Sequence, residues 1–254
     1  MGTLTEILRE AKTAKNNSLP AKNIIEQIYT GYLEEDSWKQ KKSFAPSGLF
    51  YGSGACSRRW VLSFQGNMYE SKATPLEFAR MKAGTAGHEI IESAMEKSGV
   101  AKAIEVELHN EDPPIHAYAD ALLEFDGVEY VAEIKTTTHE NYEYRVTTNK
   151  IADYHLGQLL VCMHLMGQSK GIIIYASTKT HQMHGIIVEM TEANQQYIDS
   201  VLEWCRQVWT MYKQEELPVR SFRKGTKVCG KCPVEKICDS STAGTRNIGK
   251  LPVL

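Results

Sequence analysis

The chain is predicted to fold as an α/β domain in which a mixed central sheet carries helices on its faces. Three observations lead there. Residues 117–125 and 128–135 read as alternating strands separated only by Asp126-Gly127, the preferred pair for a two-residue type I′ turn. Gly171-Ile172-Ile173-Ile174-Tyr175 is a continuous apolar run, the pattern of an interior strand buried on both faces. Apolar residues at helical spacing precede, separate and follow these strands.

Taken in order, residues 4–15 and 20–34 read as two amphipathic helices, and a loop with Lys39, Lys41, Lys42 and Pro46 follows. Pro75 opens a long helix over 76–97 with Thr74 as N-cap, and Ser98-Gly99 ends it. Its apolar stripe is Phe78, Met81, Ile90, Ile91, Ala94 and Met95. Strands follow at 103–109, 117–125 and 128–136, with Asp112-Pro113-Pro114 breaking the first from the second. A helix over 150–167 stops at Gly167. Strands at 171–177 and 183–190, a helix over 192–214 and a Pro/Gly-punctuated cysteine tail complete the order.

The length of 254 residues allows one large domain or one domain with an appendage, and 42% hydrophobic content suffices for a sizeable core. A formal net charge of −2 argues against binding nucleic acid by bulk charge, while leaving room for a local basic cleft. No apolar run is long enough to span a membrane, and the start, Met1-Gly2-Thr3-Leu4-Thr5-Glu6, is unlike a signal peptide. A soluble, cytoplasmic protein with no membrane partner is expected. No internal repeat or long low-complexity segment is evident.

The hairpin carries the chemistry. With a two-residue turn, 125 faces 128, 124 faces 129 and 120 faces 133. Two opposed carboxylates on one sheet face repel, and a divalent cation between Asp120 and Glu133 removes that cost. Lys135 lies two residues beyond Glu133 and points the same way. Such a group suits phosphodiester cleavage. The ordinary alternative is a solvated strand with a salt bridge, since Glu124 also faces Glu129. His88, at the edge of the long helix's stripe, is either a boundary residue or a further metal ligand; imidazole suits Mn²⁺ better than Mg²⁺.

The six cysteines divide. Cys162 and Cys205 sit on apolar helical stripes and read as core. Cys229, Cys232 and Cys238 cluster in the tail, and Cys56 stands far upstream in a Gly/Ser-rich segment. Four thiolates suit zinc or an iron–sulfur cluster, and disulfides are disfavoured in an intracellular chain. Either metal centre would staple the C-terminal tail to the N-terminal region around the intervening core.

Together these residues resemble the PD-(D/E)XK nuclease superfamily, and within it the RecB-type iron–sulfur exonuclease branch of CRISPR-associated, AddB-like and phage exonucleases. Gly84-Thr85-Ala86-Gly87-His88 is similar to the branch's Gly-x-x-x-His motif. Asp120 stands at the metal-binding aspartate, Glu133-Ile134-Lys135 matches (D/E)-x-K, and Cys56 with Cys229, Cys232 and Cys238 matches the split cysteine set. One departure concerns the branch's Gln-x-x-x-Tyr motif: Gln158 is present, but Cys162 occupies the tyrosine position, and Tyr154 lies one turn to the other side.

The resemblance implies a restriction-endonuclease-like core over residues 48–240, preceded by an N-terminal helical segment (1–47) and followed by a C-terminal tail (241–254). It implies a metal-dependent DNA exonuclease acting on single strands or duplex ends, in recombination, repair, phage DNA processing or CRISPR adaptation, with protein partners from those systems. Lys135, Glu133, Asp120 and Gln158 are the implied catalytic residues. His88, Asp120, Glu133 and the Ile134 carbonyl are the implied ligands of Mg²⁺ or Mn²⁺, and the four cysteines those of a [4Fe–4S] cluster. Arg58, Arg59, Arg223, Lys224 and Lys227 flank the cysteines and are expected to contact DNA phosphates, the bland alternative being a solvated surface. A non-catalytic DNA-binding subunit of a recombination complex and a zinc-stapled endonuclease are the competing readings.

Overall fold

A computed structural model describes residues 19–33, 40–66, 72–241 and 243–254. The helix expected over 4–15 lies outside them. The chain divides into two compact units, Met1–Ser37 with Ala73–Ala83, and Trp38–Lys72 with Gly84–Leu254. The smaller contains α1 (Leu19–Thr30) and a reciprocal capping box, in which Thr74 N donates to Glu77 Oε2 at 2.7 Å and Glu77 N to Thr74 Oγ1 at 3.2 Å. The larger unit begins ten residues before the boundary expected at 48. Phe44 explains part of this: it is fully buried, with its ring 4.9 Å from those of Trp60 and Phe64.

After two short helical segments, α2 (Pro46–Leu49) and α3 (Ser57–Phe64), comes the long helix α4 (Pro75–Ser98). The order then runs β1 (Ala101–Asn110), β2 (Ile115–Phe125), β3 (Val128–Thr137), α5 (His139–Thr148), α6 (Asp153–Met166), β4 (Lys170–Ser177), β5 (Met183–Glu189) and α7 (Glu192–Lys213). Two short helices, α8 (Lys227–Gly230) and α9 (Glu235–Ser240), carry the tail cysteines. The sequence order holds, with α5 added.

The five strands form one mixed sheet in the order β1-β2-β3-β4-β5. β2 and β3 pair with Phe125 opposite Val128 and Glu124 opposite Glu129, as the turn predicts, and Asp126 and Gly127 take the left-handed backbone of a type I′ turn (φ 51° and 74°). β3 and β4 are parallel, joined by the α5–α6 crossover. Val131, Ile173 and Tyr175 enter one large core with α3, α6 and α7, whereas Ala132, Ile134 and Ile174 enter a second core with Met95 of α4. These two strands are therefore buried on both faces. No helix among the described residues is long and apolar enough to cross a membrane.

The C-terminal region lies against the segment around Cys56. Leu251 N donates to Ala55 O at 3.0 Å, Ser57 N to Ser221 Oγ at 3.3 Å, and Cys56 forms an antiparallel bridge with Lys250. Leu251, expected in a separate tail, is buried in the main core.

Candidate functional site

The site forms where β2 leaves β3. Their main-chain ladder ends at Ala121–Ala132, one pair short of Asp120 and Glu133. In place of that pair, Ile134 N donates to Asp120 Oδ2 at 2.6 Å. The carboxylate thus fills a main-chain acceptor position, and both acids are fixed to rigid strands. On the other side, the β1–β2 register brings Glu105 to the level of Asp120, and Glu105 has the left-handed φ of 48° that a glutamate rarely adopts.

Glu133 is fully buried, and beyond its ion pair with Lys135 neither carboxylate oxygen has a hydrogen-bond partner. Burial, opposed by Lys135 and reinforced by Asp120, pushes its pKa up to about 8. Lys135 Nζ also lies 3.5 Å from Gln158 Oε1 on α6. A buried carboxyl group whose one partner is Lys135, beside a second carboxylate, offers a donor pair that suits a divalent cation.

The Gly-x-x-x-His segment supplies the third side. A Cβ on Gly87 would lie 2.7 Å from Thr136 Cγ2, and one on Gly84 3.5 Å from Thr136 Oγ1, so the glycines let α4 approach β3 closely. One turn on, His88 Nδ1 stands 3.8 Å from Asp120 Oδ2. Burial and Lys135 hold its pKa below the usual range against the pull of Asp120 and Glu105, which favours the neutral imidazole a metal requires. Glu92, a further turn along, completes a group in which one ligand atom each from His88, Glu92 and Asp120 lies within 4.8 Å of the others. Burial, then Asp120 and three other glutamates, pushes the Glu92 pKa up. Sequence reasoning missed Glu92; its only signal was the four-residue spacing from His88.

A second cluster, formed by α5, α6 and β4, stands near Lys135. His155 Nδ1 and Ala152 N both contact the Tyr175 hydroxyl, at 3.0 and 3.2 Å, and the Arg145 guanidinium lies 5.2 Å above the Tyr175 ring. Burial, helped by Lys135 and Arg145, lowers the His155 pKa to about 3, so this imidazole is neutral. Cys162, at the motif's tyrosine position, is fully buried with its Sγ 3.7 Å from Tyr118 O, and burial raises its pKa. Tyr154 is exposed, its ring edge-on to Tyr51 at 5.5 Å.

Cys56, Cys229, Cys232 and Cys238 line a single pocket with Ser53 and Phe222, and none is in a disulfide. Among the described residues, no three of these cysteines bring their sulfurs within 4.8 Å of one another. The expected basic rim is only partly present. Arg58 and Arg59 are buried, donating to Pro218 O at 3.0 Å and Gly48 O at 2.9 Å, and Arg59 lies over the Trp60 ring. They hold chain segments together around the cysteines, and Arg59 also lines the cysteine pocket. Arg223, Lys224 and Lys227 are exposed, with Lys224 2.9 Å from Asp239.

With this geometry in place, comparison with known proteins becomes informative. The sequence model of the PD-(D/E)XK nuclease superfamily matches residues 100–239, more than half of the chain. Comparison with curated protein sequences gives no match. Among solved structures, an alkaline exonuclease from Laribacter hongkongensis is 16% identical with a TM-score of 0.52, covering 68% of this chain and 91% of its own. The same exonuclease in complex with dAMP is 17% identical with a TM-score of 0.52, covering 68% of this chain and 89% of its own. The solved protein SSO0001 is 18% identical, covering 87% of this chain and 98% of its own, with a TM-score of 0.48. At these identities the likeness is one of fold.

Proposed function

The chain belongs to the PD-(D/E)XK nuclease superfamily, and on that premise we propose that it is a divalent-metal-dependent deoxyribonuclease, acting as an exonuclease on single-stranded DNA or duplex ends. The observation that carries this reading is the buried Glu133 carboxyl group, paired with Lys135 alone, beside Asp120 where the two strands part. His88, Asp120, Glu133 and the Ile134 carbonyl, with Glu92, would hold Mg²⁺ or Mn²⁺; the mixed imidazole–carboxylate donor set fits either. Held by these residues, the cation would supply charge neutralisation at the phosphate and a lowered pKa for a water.

The chain's own groups do the rest. Ile134 N fixes Asp120 Oδ2, the oxygen that also faces His88 Nδ1, and so orients the carboxylate toward the ligand set. Lys135, held between Glu133 and Gln158, presents its ammonium group to the attacking water or to the charge that develops on phosphorus oxygens. Arg145 provides a nearby guanidinium group for the substrate's phosphates. Of the cationic residues expected near the cysteines, Arg223, Lys224 and Lys227 remain candidates for phosphate contact.

The four cysteines would hold a [4Fe–4S] cluster. Their convergence on one pocket without disulfides supports a metal centre. The split one-plus-three arrangement, which matches the iron–sulfur branch, favours a cluster over zinc. Labelled single- and double-stranded DNA, incubated with Mn²⁺ and anaerobically purified protein, tests the reading. Mononucleotides or short products released from an end support the exonuclease, and internal fragments identify an endonuclease. DNA binding without cutting would place the chain among non-catalytic subunits.

A further inference from the structure

A second convergence of metal-ligating groups lies on β1 and β2, outside the Asp120–Glu133 site. The strand register sets His109 directly opposite His116, and Glu107 opposite Tyr118. Cross-strand partners and residues two apart share a sheet face, so these four side chains project together. The two imidazoles stack in near-parallel planes, 11° apart, with centroids separated by 4.5 Å. Glu107 Oε1 lies 2.8 Å from His116 Nε2 and 3.4 Å from His109 Nε2, and it accepts the Tyr118 hydroxyl at 2.9 Å. One ligand atom from each of Glu107, His109 and His116 stands within 4.8 Å of the other two.

We propose that Glu107, His109 and His116 form a surface site for a divalent transition metal, zinc above all. Two imidazoles and one carboxylate suit Zn²⁺, Ni²⁺ or Cu²⁺ and discriminate against Mg²⁺. Three protein ligands leave a fourth position open to water or an anion. Zinc held at ~2.0–2.1 Å from each donor needs the donors about 3.3 Å apart. Of the three donor separations, the two involving Glu107 Oε1 are 2.8 and 3.4 Å, so small side-chain rotations close the site. The Tyr118 hydroxyl stays outside the ligand set and orients the carboxylate. The three donors are well exposed, so an ion reaches them from solvent, and they stand on paired strands that pre-position them.

Calorimetric titration of the full chain with Zn²⁺ in excess Mg²⁺, for wild type and His109→Ala/His116→Ala, tests this. The cysteines take up any zinc they bind equally in both proteins, so the difference isolates the surface site. Wild type is expected to bind one zinc more than the double variant, with the imidazole NMR signals of His109 and His116 shifting on saturation. Tyr118→Phe should retain that zinc at an affinity weakened about 10-fold or more. Equal zinc uptake by wild type and a double variant with unchanged circular dichroism would overturn the proposal, as would unmoved imidazole signals.

Discussion

Replacing Glu133 with glutamine removes the most deeply buried carboxyl group in the site while preserving its shape. In the metal-free fold, burial raises the Glu133 pKa from 4.5 to about 8. Between those values the folded state holds a proton that the unfolded state has released. A group raised in this way contributes stability that is complete below pH 4.5 and is lost as pH rises through about 8. At ~1.4 kcal/mol per pH unit of displacement, the loss is on the order of 5 kcal/mol. Glutamine does not titrate, so Glu133→Gln escapes this loss, and His88 and His155, whose lowered pKa values act oppositely, cancel in the comparison. Thermal melts of both proteins in chelator at pH 5, 7 and 9 measure it. The variant should gain on wild type with rising pH, by roughly 10–20 °C at about 2–4 °C per kcal/mol for a chain of this size. Saturating Mn²⁺ should erase the gap by holding the carboxylate charged. A gap independent of pH, or a wild type that gains on the variant as pH rises, would refute the argument that desolvation outweighs the Lys135 pairing.

Three further outcomes follow. Gly87→Ala puts a methyl group 2.7 Å from Thr136 Cγ2; it should cost about 1–3 kcal/mol and lower activity by displacing His88, and Thr136→Ser, which removes that methyl, should restore both in melts and rate assays. Cys232→Ser should bleach the broad visible absorption of freshly purified protein and lower its melting temperature, because the proposed cluster would close a long loop back to Cys56; stoichiometric zinc in a colourless wild type would contradict the cluster. Cys162→Tyr, which restores the residue usual in the motif, forces a large ring into a fully buried slot; it should destabilise the fold by about 1–3 kcal/mol or more and not raise activity, as read by denaturant unfolding and initial rates.

The sheet was legible because its signals are local. Asp126-Gly127 fixes both the turn and the register, which aligns Asp120 with Glu133 without any knowledge of the rest of the chain. The Gly171–Tyr175 run likewise marks a strand that only a two-faced core can bury. Elements decided by tertiary context were not legible. α5 has a single buried residue, Tyr142, and no apolar stripe to announce it. Arg58 and Arg59 read as surface cations because arginine is rarely buried, yet every residue of α3 is enclosed, and the carbonyls of Pro218 and Gly48 each accept a bond from one of the two guanidinium groups. Glu92 resembles any acid on a long helix until Gly84 and Gly87 bring α4 against Thr136. Leu251 shows the same limit: four residues from the C-terminal end, it packs into the core through a main-chain bond to Ala55.

The most direct test of the central claim compares wild type with Asp120→Ala on labelled DNA, with Mn²⁺ and after anaerobic purification. Wild type should cut in a chelator-sensitive reaction, and Asp120→Ala should bind the same DNA without cutting it. Equal cutting by both proteins would show that the chemistry does not reside where β2 parts from β3.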